Sequence, residues 1–207
     1  MAPTVCILDF SSGNVGSVRN IFRTFTDQVI ISNEPNDIEE ATHLVLPGVG
    51  AFGAAMEKIR RYIPIQMLEE VVLQKKKPFL GICVGMQVLA DKGLEYGEHA
   101  GLGWIQGVVK KLESGEQPLP HVGWNDITIT KSTPLLNGLD AIRDFYFVHS
   151  YAFSLRDRSQ VCAVAEYGEI FDCVLNQGNI FGVQFHPEKS QKAGQRLVKN
   201  FLEIGQE

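Results

Sequence analysis

The chain has 207 residues, 44% of them hydrophobic and 21% charged, with a formal charge of −5. That length suits one α/β domain with a substantial core, and the composition is that of an ordinary globular protein. The acidic balance and the lack of a basic tract argue against nucleic acid, and no apolar run approaches the roughly 18 residues that span a bilayer.

Met1–Asp9 has neither a basic start nor a long apolar stretch, so it reads as a first strand rather than a signal peptide, and the protein is expected in the cytoplasm. Val5–Asp9 is the strand and Phe10–Asn14 its turn. Val15, Val18, Ile21, Phe22 and Phe25 recur at helical spacing. Val29–Ile31 and His43–Leu46 are short strands, the second stopped by Pro47-Gly48-Val49-Gly50. Helical patterns cover Ala54–Arg60 and Ile65–Gln74, and Lys75–Lys77 reads as a solvated, dipole-complementing cap. Pro78–Ile82 is a buried strand, and Met86–Asp91 continues as helix.

This alternation predicts a mostly parallel central sheet flanked by helices, with functional groups at the carboxyl ends of strands. The second half is richer in strands, at Trp104–Leu112, Trp124–Thr130, Phe145–Val148, Val161–Tyr167, Phe171–Asn176 and Ile180–Phe185. Gly168 and Asn176–Asn179 supply turns, and Glu188–Ile204 is the closing helix. No repeat or linker divides the chain, so residues 1–207 read as a single domain.

Gly81-Ile82-Cys83-Val84-Gly85 has the G-x-C-x-G form of a nucleophile elbow, a strand turning abruptly into a helix with the nucleophile at the apex. The helix start favours a thiolate, and the Val84 amide is placed to donate to an oxyanion. The pattern also fits a glycine-flanked buried cysteine. A base is needed, and His186 stands at the end of a strand in His186-Pro187-Glu188, where the carboxylate could orient the imidazole. Cys6, Cys162 and Cys173 lie in apolar, strand-like stretches and read as small buried hydrophobes. No C-x-x-C pair is present, so a zinc or thioredoxin-like site is not expected, and the reading calls for no metal and no cofactor.

Pro47–Phe52, Gly81–Gln87 and Gly182–Ser190 together resemble the motifs of the class I (triad) glutamine amidotransferases. Asp9–Val18, Gly101–Trp104, Pro120–Asn125 and Phe145–Tyr151 narrow the resemblance to the glutaminase subunits of imidazole glycerol phosphate synthases. The resemblance implies a flavodoxin-like fold with added antiparallel strands. It implies hydrolysis of L-glutamine to glutamate and ammonia by Cys83, His186 and Glu188. The ammonia would pass to a (βα)8-barrel cyclase in a heterodimer that makes imidazole glycerol phosphate and AICAR in histidine biosynthesis.

By the same resemblance, Gly48, Val49 and Gly50 form the strand facing the oxyanion, with the Val49 amide as second donor beside Val84. In this family that strand can need reorientation by the partner. Gln87 and Glu95 match positions that bind the amino end of glutamine. His149, Ser150 and Tyr151 would meet its α-carboxylate, largely through main-chain amides. Phe10, Ser11-Ser12, Val84 and Val122 depart modestly from the family pattern.

Gly13–Gly16 lacks a full phosphate-binding spacing and reads as a turn and helix cap at a subunit interface. Pro120–Asn125 suits a loop presenting Trp124 as an interface anchor. Competing readings are a paralogous glutaminase serving a surface-polysaccharide sugar amidotransferase, a non-catalytic regulatory subunit and a cysteine peptidase.

Overall fold

The computed structural model describes residues 2–11 and 14–205. Five strands from both halves of the chain form the parallel part of the main sheet: β1 (Val5–Ile7), β2 (Val29–Ile31), β3 (His43–Gly48), β4 (Phe79–Cys83) and, far along the sequence, β14 (Ile180–Val183). Between β4 and β14 the chain forms β5 (Lys92–Gly93), β6 (His99–Ala100), β7 (Gly107–Lys111), β8 (His121–Asp126), β9 (Thr128–Ile129), β10 (Asp144–His149), β11 (Tyr151–Leu155), β12 (Val161–Tyr167) and β13 (Glu169–Gln177). The eight-stranded order is β2-β1-β3-β4-β14-β13-β12-β9, parallel as far as β14 and antiparallel beyond it. A ribbon, β10-β8, and a smaller sheet, β11-β7-β5-β6, complete the strand structure. The expected mostly parallel sheet with antiparallel additions is present.

The helices are α1 (Val15–Phe22), α2 (Pro35–Glu40), α3 (Phe52–Tyr62), α4 (Ile65–Glu69), α5 (Val84–Gln87) and α6 (Gln191–Glu203). In α3 the buried residues Phe52, Ala55, Met56 and Ile59 fall on one stripe, and α6 buries Ala193, Leu197, Val198 and Phe201 in the same manner. Of the parallel strands, β1, β3, β4 and β14 read as continuous buried runs, as a sheet covered by helices requires, while the edge strand β2 exposes Ile30. No helix among the described residues is long and apolar enough to cross a membrane.

Several boundaries differ from expectation. Pro47 and Gly48 do not stop β3: the strand continues until Gly48 pairs in register with Cys83. Pro is tolerated there because the main-chain N–H it lacks is not needed at the strand's end. The helix expected over Met86–Asp91 is instead α5, ending at Gln87, because the carbonyls of Val88, Leu89 and Ala90 accept from Leu102, Ile105 and Gly103 rather than from a next turn. The strand expected at Trp124–Thr130 divides into β8, which starts earlier at His121, and β9. Trp104–Leu112 shortens to β7, and the closing helix is preceded by a separate 3-10 turn at Pro187–Lys189.

The lysine run is more than a solvated cap. Lys75 pairs with Glu39 and Glu70, and the Lys77 ammonium donates to the Ile38 and Glu39 carbonyls at the end of α2. Cys6, Cys162 and Cys173 are free and buried, as expected of small core residues. Asn14 stands at the N-terminus of α1, which begins at Val15, so a helix start does fall within the Gly13–Gly16 segment, whose residue 13 lies outside the described residues.

Candidate active site

The elbow is built by glycine. β4 ends at Cys83, and α5 begins at the next residue. Cys83 has φ 55° and ψ −113°, a conformation L-residues adopt only where the surroundings impose it. A Cβ on Gly85 would lie 1.7 Å from the Leu46 carbonyl oxygen, and one on Gly81 would lie 2.5 Å from the Gly85 carbonyl oxygen. The two glycines therefore let α5 press against β3 and β4, holding the strained cysteine at the apex. A Cβ on Gly48 would meet Phe10 Cζ at 2.8 Å and the Gly85 nitrogen at 3.0 Å, so the same close approach continues into β3.

The base arrives from β14. Three residues beyond that strand, the His186 N–H donates to the Tyr146 carbonyl at 2.9 Å, and Ser190 Oγ donates to the His186 carbonyl. The 3-10 turn at Pro187–Lys189 then folds Glu188 under the ring, with His186 Nδ1 2.8 Å from Glu188 Oε1. Both side chains are buried. Burial is the largest single influence on His186 and disfavours its cation. Hydrogen bonding and charge from Cys83 and Glu188 outweigh it, and the imidazole is raised from 6.5 to about 10. Burial likewise pushes the Glu188 carboxyl up, but bonds and charge from His186, with a bond from Asn14, hold it below the ordinary carboxylate range. The opposed shifts of the two partners favour the charged pair of His186 and Glu188.

A cavity of about 160 Å³, open to solvent, lies over this group. Val49, Gly50, Cys83, Val84, Gln87, Glu95, His149, Ser150, Tyr151 and His186 all line it. The other two residues singled out in the sequence stand behind its wall: Gly48 beside Cys83 in β3, Glu188 behind His186. Gly50 has φ 101°, a backbone state suited to glycine, and Val49 is exposed. Glu95 Oε2 accepts from the Phe52 N–H at 2.8 Å, capping the start of α3 from the cavity rim. Gln87 Nε2 donates to the Tyr151 carbonyl at 2.8 Å and to Gln184 Oε1 at 3.0 Å, which commits its nitrogen to the protein. The His149 ring is also committed, to Tyr151 on one side and His121 on the other, so that segment offers the cavity its main chain.

Three residues at the site were not singled out from the sequence. Gln184 is fully buried, and its Nε2 lies 3.7 Å from Cys83 Sγ. It precedes His186 by two in the same motif, which was the available signal. Asn14 Nδ2 donates to Glu188 Oε1 at 2.6 Å, from 174 positions away. Lys189 lines the cavity with its ammonium over the Tyr146 ring, 5.5 Å from the centroid. Trp124 packs edge-on to that tyrosine and remains half exposed. Among the described residues, no group of three or more His, Cys, Asp or Glu is arranged to hold a metal ion.

The mostly parallel sheet thus carries a strained cysteine at the end of one strand, with a buried His–Glu pair beside the same cavity. The family model for class-I glutamine amidotransferases matches residues 6–204, and the chain belongs to that family. Similar proteins include the imidazole glycerol phosphate synthase subunit HisH of Zymomonas mobilis, 44% identical over 97% of this chain and 95% of that protein. The subunit HisH 1 of Campylobacter jejuni is 42% identical over 97% of this chain and all of its own length. Among solved structures, PurLQS from Thermotoga maritima superposes with a TM-score of 0.75 over 98% of both chains at 18% identity, a likeness of fold. A crystal structure of a glutamine amidotransferase gives 0.72 over 97% of both chains at 19% identity. These relatives are the ones toward which the sequence motifs pointed.

Proposed function

We propose that this chain is the glutaminase subunit of an imidazole glycerol phosphate synthase, hydrolysing L-glutamine and passing ammonia to a (βα)8-barrel cyclase in a heterodimer. The names of the relatives, matched over nearly the whole of both chains, support the class of enzyme. The observation that carries the chemistry is the juxtaposition of Cys83 at the elbow with the buried His186–Glu188 pair.

In this reading the Cys83 sulfur attacks the side-chain amide carbon of glutamine, and the C=O electron pair moves to oxygen. The resulting oxyanion is received by the main-chain amides of Val84 and Val49. His186 gives its proton to the leaving nitrogen, the C–N bond breaks, and ammonia departs from a thioester. Water then attacks the thioester with His186 taking its proton, the C–S bond breaks with its electron pair returning to the Cys83 sulfur, and glutamate leaves. Glu188 holds the imidazole in one orientation and stabilises its cation throughout. Gln87 Oε1 and the free oxygen of Glu95 receive the α-ammonium of the substrate, and the Ser150 and Tyr151 amides its carboxylate. Gly50, with Gly48 and Val49, gives the oxyanion segment freedom to reorient when the synthase docks. That last feature makes the isolated chain a slow glutaminase.

The test is Cys83→Ala in the complex with the cyclase. Glutamine-dependent synthesis is expected to vanish while synthesis from free ammonia persists. Glutamine turnover by the variant would overturn the nucleophile. Co-purification of a sugar-modifying synthase rather than the cyclase would overturn the pathway and leave the hydrolysis standing.

A further inference from the structure

We propose that His121 and His149 are positioning residues for glutamine: a one-way hydrogen-bond relay through the two imidazoles fixes the Tyr151 carbonyl, and so the peptide that follows Tyr151, beside the Ser150 and Tyr151 amides against which the substrate carboxylate lies. The inference rests on the glutaminase reading above.

The direction of the relay follows from its end. Tyr151 offers a carbonyl oxygen, which only accepts, so His149 Nδ1 carries the hydrogen and donates at 3.0 Å. In a neutral ring His149 Nε2 is then an acceptor, and it lies 3.0 Å from His121 Nδ1, which must donate. His121 Nε2 is left to accept, and Asn125 Nδ2 stands 3.4 Å away while also donating to the Glu166 carbonyl at 2.9 Å. Burial pushes His121 down to about 4 and His149 to about 3, so both rings are neutral under ordinary conditions. A proton added to either ring would fall on a nitrogen that the relay uses as an acceptor.

The rings are held by packing as well. His121 pairs with His149 in register across the β8–β10 ribbon and stacks on Tyr167 at 4.0 Å between centroids. Phe171 stands beside His149 at 4.9 Å. Within this aromatic box the two neutral histidines carry hydrogen bonds to a polar end point that an all-carbon ring could not reach. That end point is the Tyr151 carbonyl, which receives a second bond from Gln87. The preceding carbonyl, Ser150, accepts from the Leu112 N–H at 3.0 Å. The peptides on either side of Tyr151 are thereby both held before substrate arrives, the one through the Ser150 carbonyl and the other through the Tyr151 carbonyl, which is how a site avoids ordering its own backbone on binding.

The experiment uses the whole complex, with glutamine as substrate and iodoacetamide, which has no α-carboxylate, as the probe of Cys83. In His149→Phe the glutamine KM is expected to rise roughly tenfold, the scale of a lost hydrogen bond, with kcat within about twofold. His149→Asn can still donate near the Nδ1 position and is expected to recover most of the loss. Alkylation of Cys83 by iodoacetamide should proceed at the wild-type rate in both. Should His149→Phe fail to fold, His121→Phe/His149→Phe leaves neither imidazole unpaired and carries the same measurement. An unchanged KM in a folded Phe variant overturns the relay, as does an equal effect of Asn and Phe or a parallel fall in alkylation. Absence of glutamine turnover in the wild-type complex sinks the glutaminase reading itself, and is seen before any variant is made.

Discussion

Asn14 and His186 share one oxygen of Glu188: Nδ2 of the asparagine donates to Oε1 at 2.6 Å, and Nδ1 of the histidine lies 2.8 Å from the same atom. The start of α1 therefore fixes the carboxylate that fixes the base. Asn14→Ala is expected to lower kcat, by up to about a hundredfold if a charge-assisted bond of ~1.5–3 kcal/mol is fully expressed in the transition state. The glutamine KM should change little. Steady-state glutaminase assays on the complex check this, and a variant raising KM alone would assign Asn14 to substrate binding.

Glu95→Gln separates two jobs of one side chain. The replacement keeps an acceptor for the Phe52 N–H, so α3 and the melting temperature should hold. It removes the negative charge facing the cavity, and the glutamine KM is expected to rise roughly tenfold or more. A fall in melting temperature without a change in KM would reduce Glu95 to a helix cap.

Gly85→Ala places a methyl carbon 1.7 Å from the Leu46 oxygen, against main chain that cannot rotate away. Overpacking of this kind costs on the order of 1–3 kcal/mol or more. For about 200 residues, each ~1 kcal/mol lowers the melting temperature by roughly 2–4 °C. Calorimetry should show that drop together with loss of glutaminase activity, because the elbow must open to relieve the clash.

His186 offers a pH test with a defined sign. Its folded-state value, about 10, lies above the ordinary 6.5, so its pairing adds stability that is complete below about 6.5 and lost as pH rises through about 10. Glu188 lies on the other side: its value is depressed, and its contribution is lost on acidification. Replacing the sulfur in Cys83→Ser removes the influence of Cys83 that favours the imidazolium. The ring signal of His186 in NMR titration should then move to lower pH, and the fall in unfolding free energy above pH 7 should flatten. An unmoved ring titration would show that Glu188 alone holds the proton.

The sequence by itself determined the alternating strand–helix frame, because apolar runs buried on both faces can only sit in a covered parallel sheet. It also determined the elbow at Cys83 and the His186–Glu188 pair, since each is local: two glycines within two residues, and a carboxylate two residues beyond an imidazole. Helix α2 was not legible, because only Ile38 of its six residues is buried and the segment carries almost no apolar period. Strand β11 was missed because it follows β10 after the single residue Ser150, where the chain changes sheets rather than turning into a hairpin. Only the tertiary structure decided that Asn14 reaches Glu188, that Gln184 and Gln87 meet beneath Cys83, and that His121 and His149 form a relay to Tyr151. Apart from the local His149–Tyr151 bond, those contacts join residues 28 to 174 positions apart, and no periodicity or spacing along a chain encodes which distant polar atoms burial will force together.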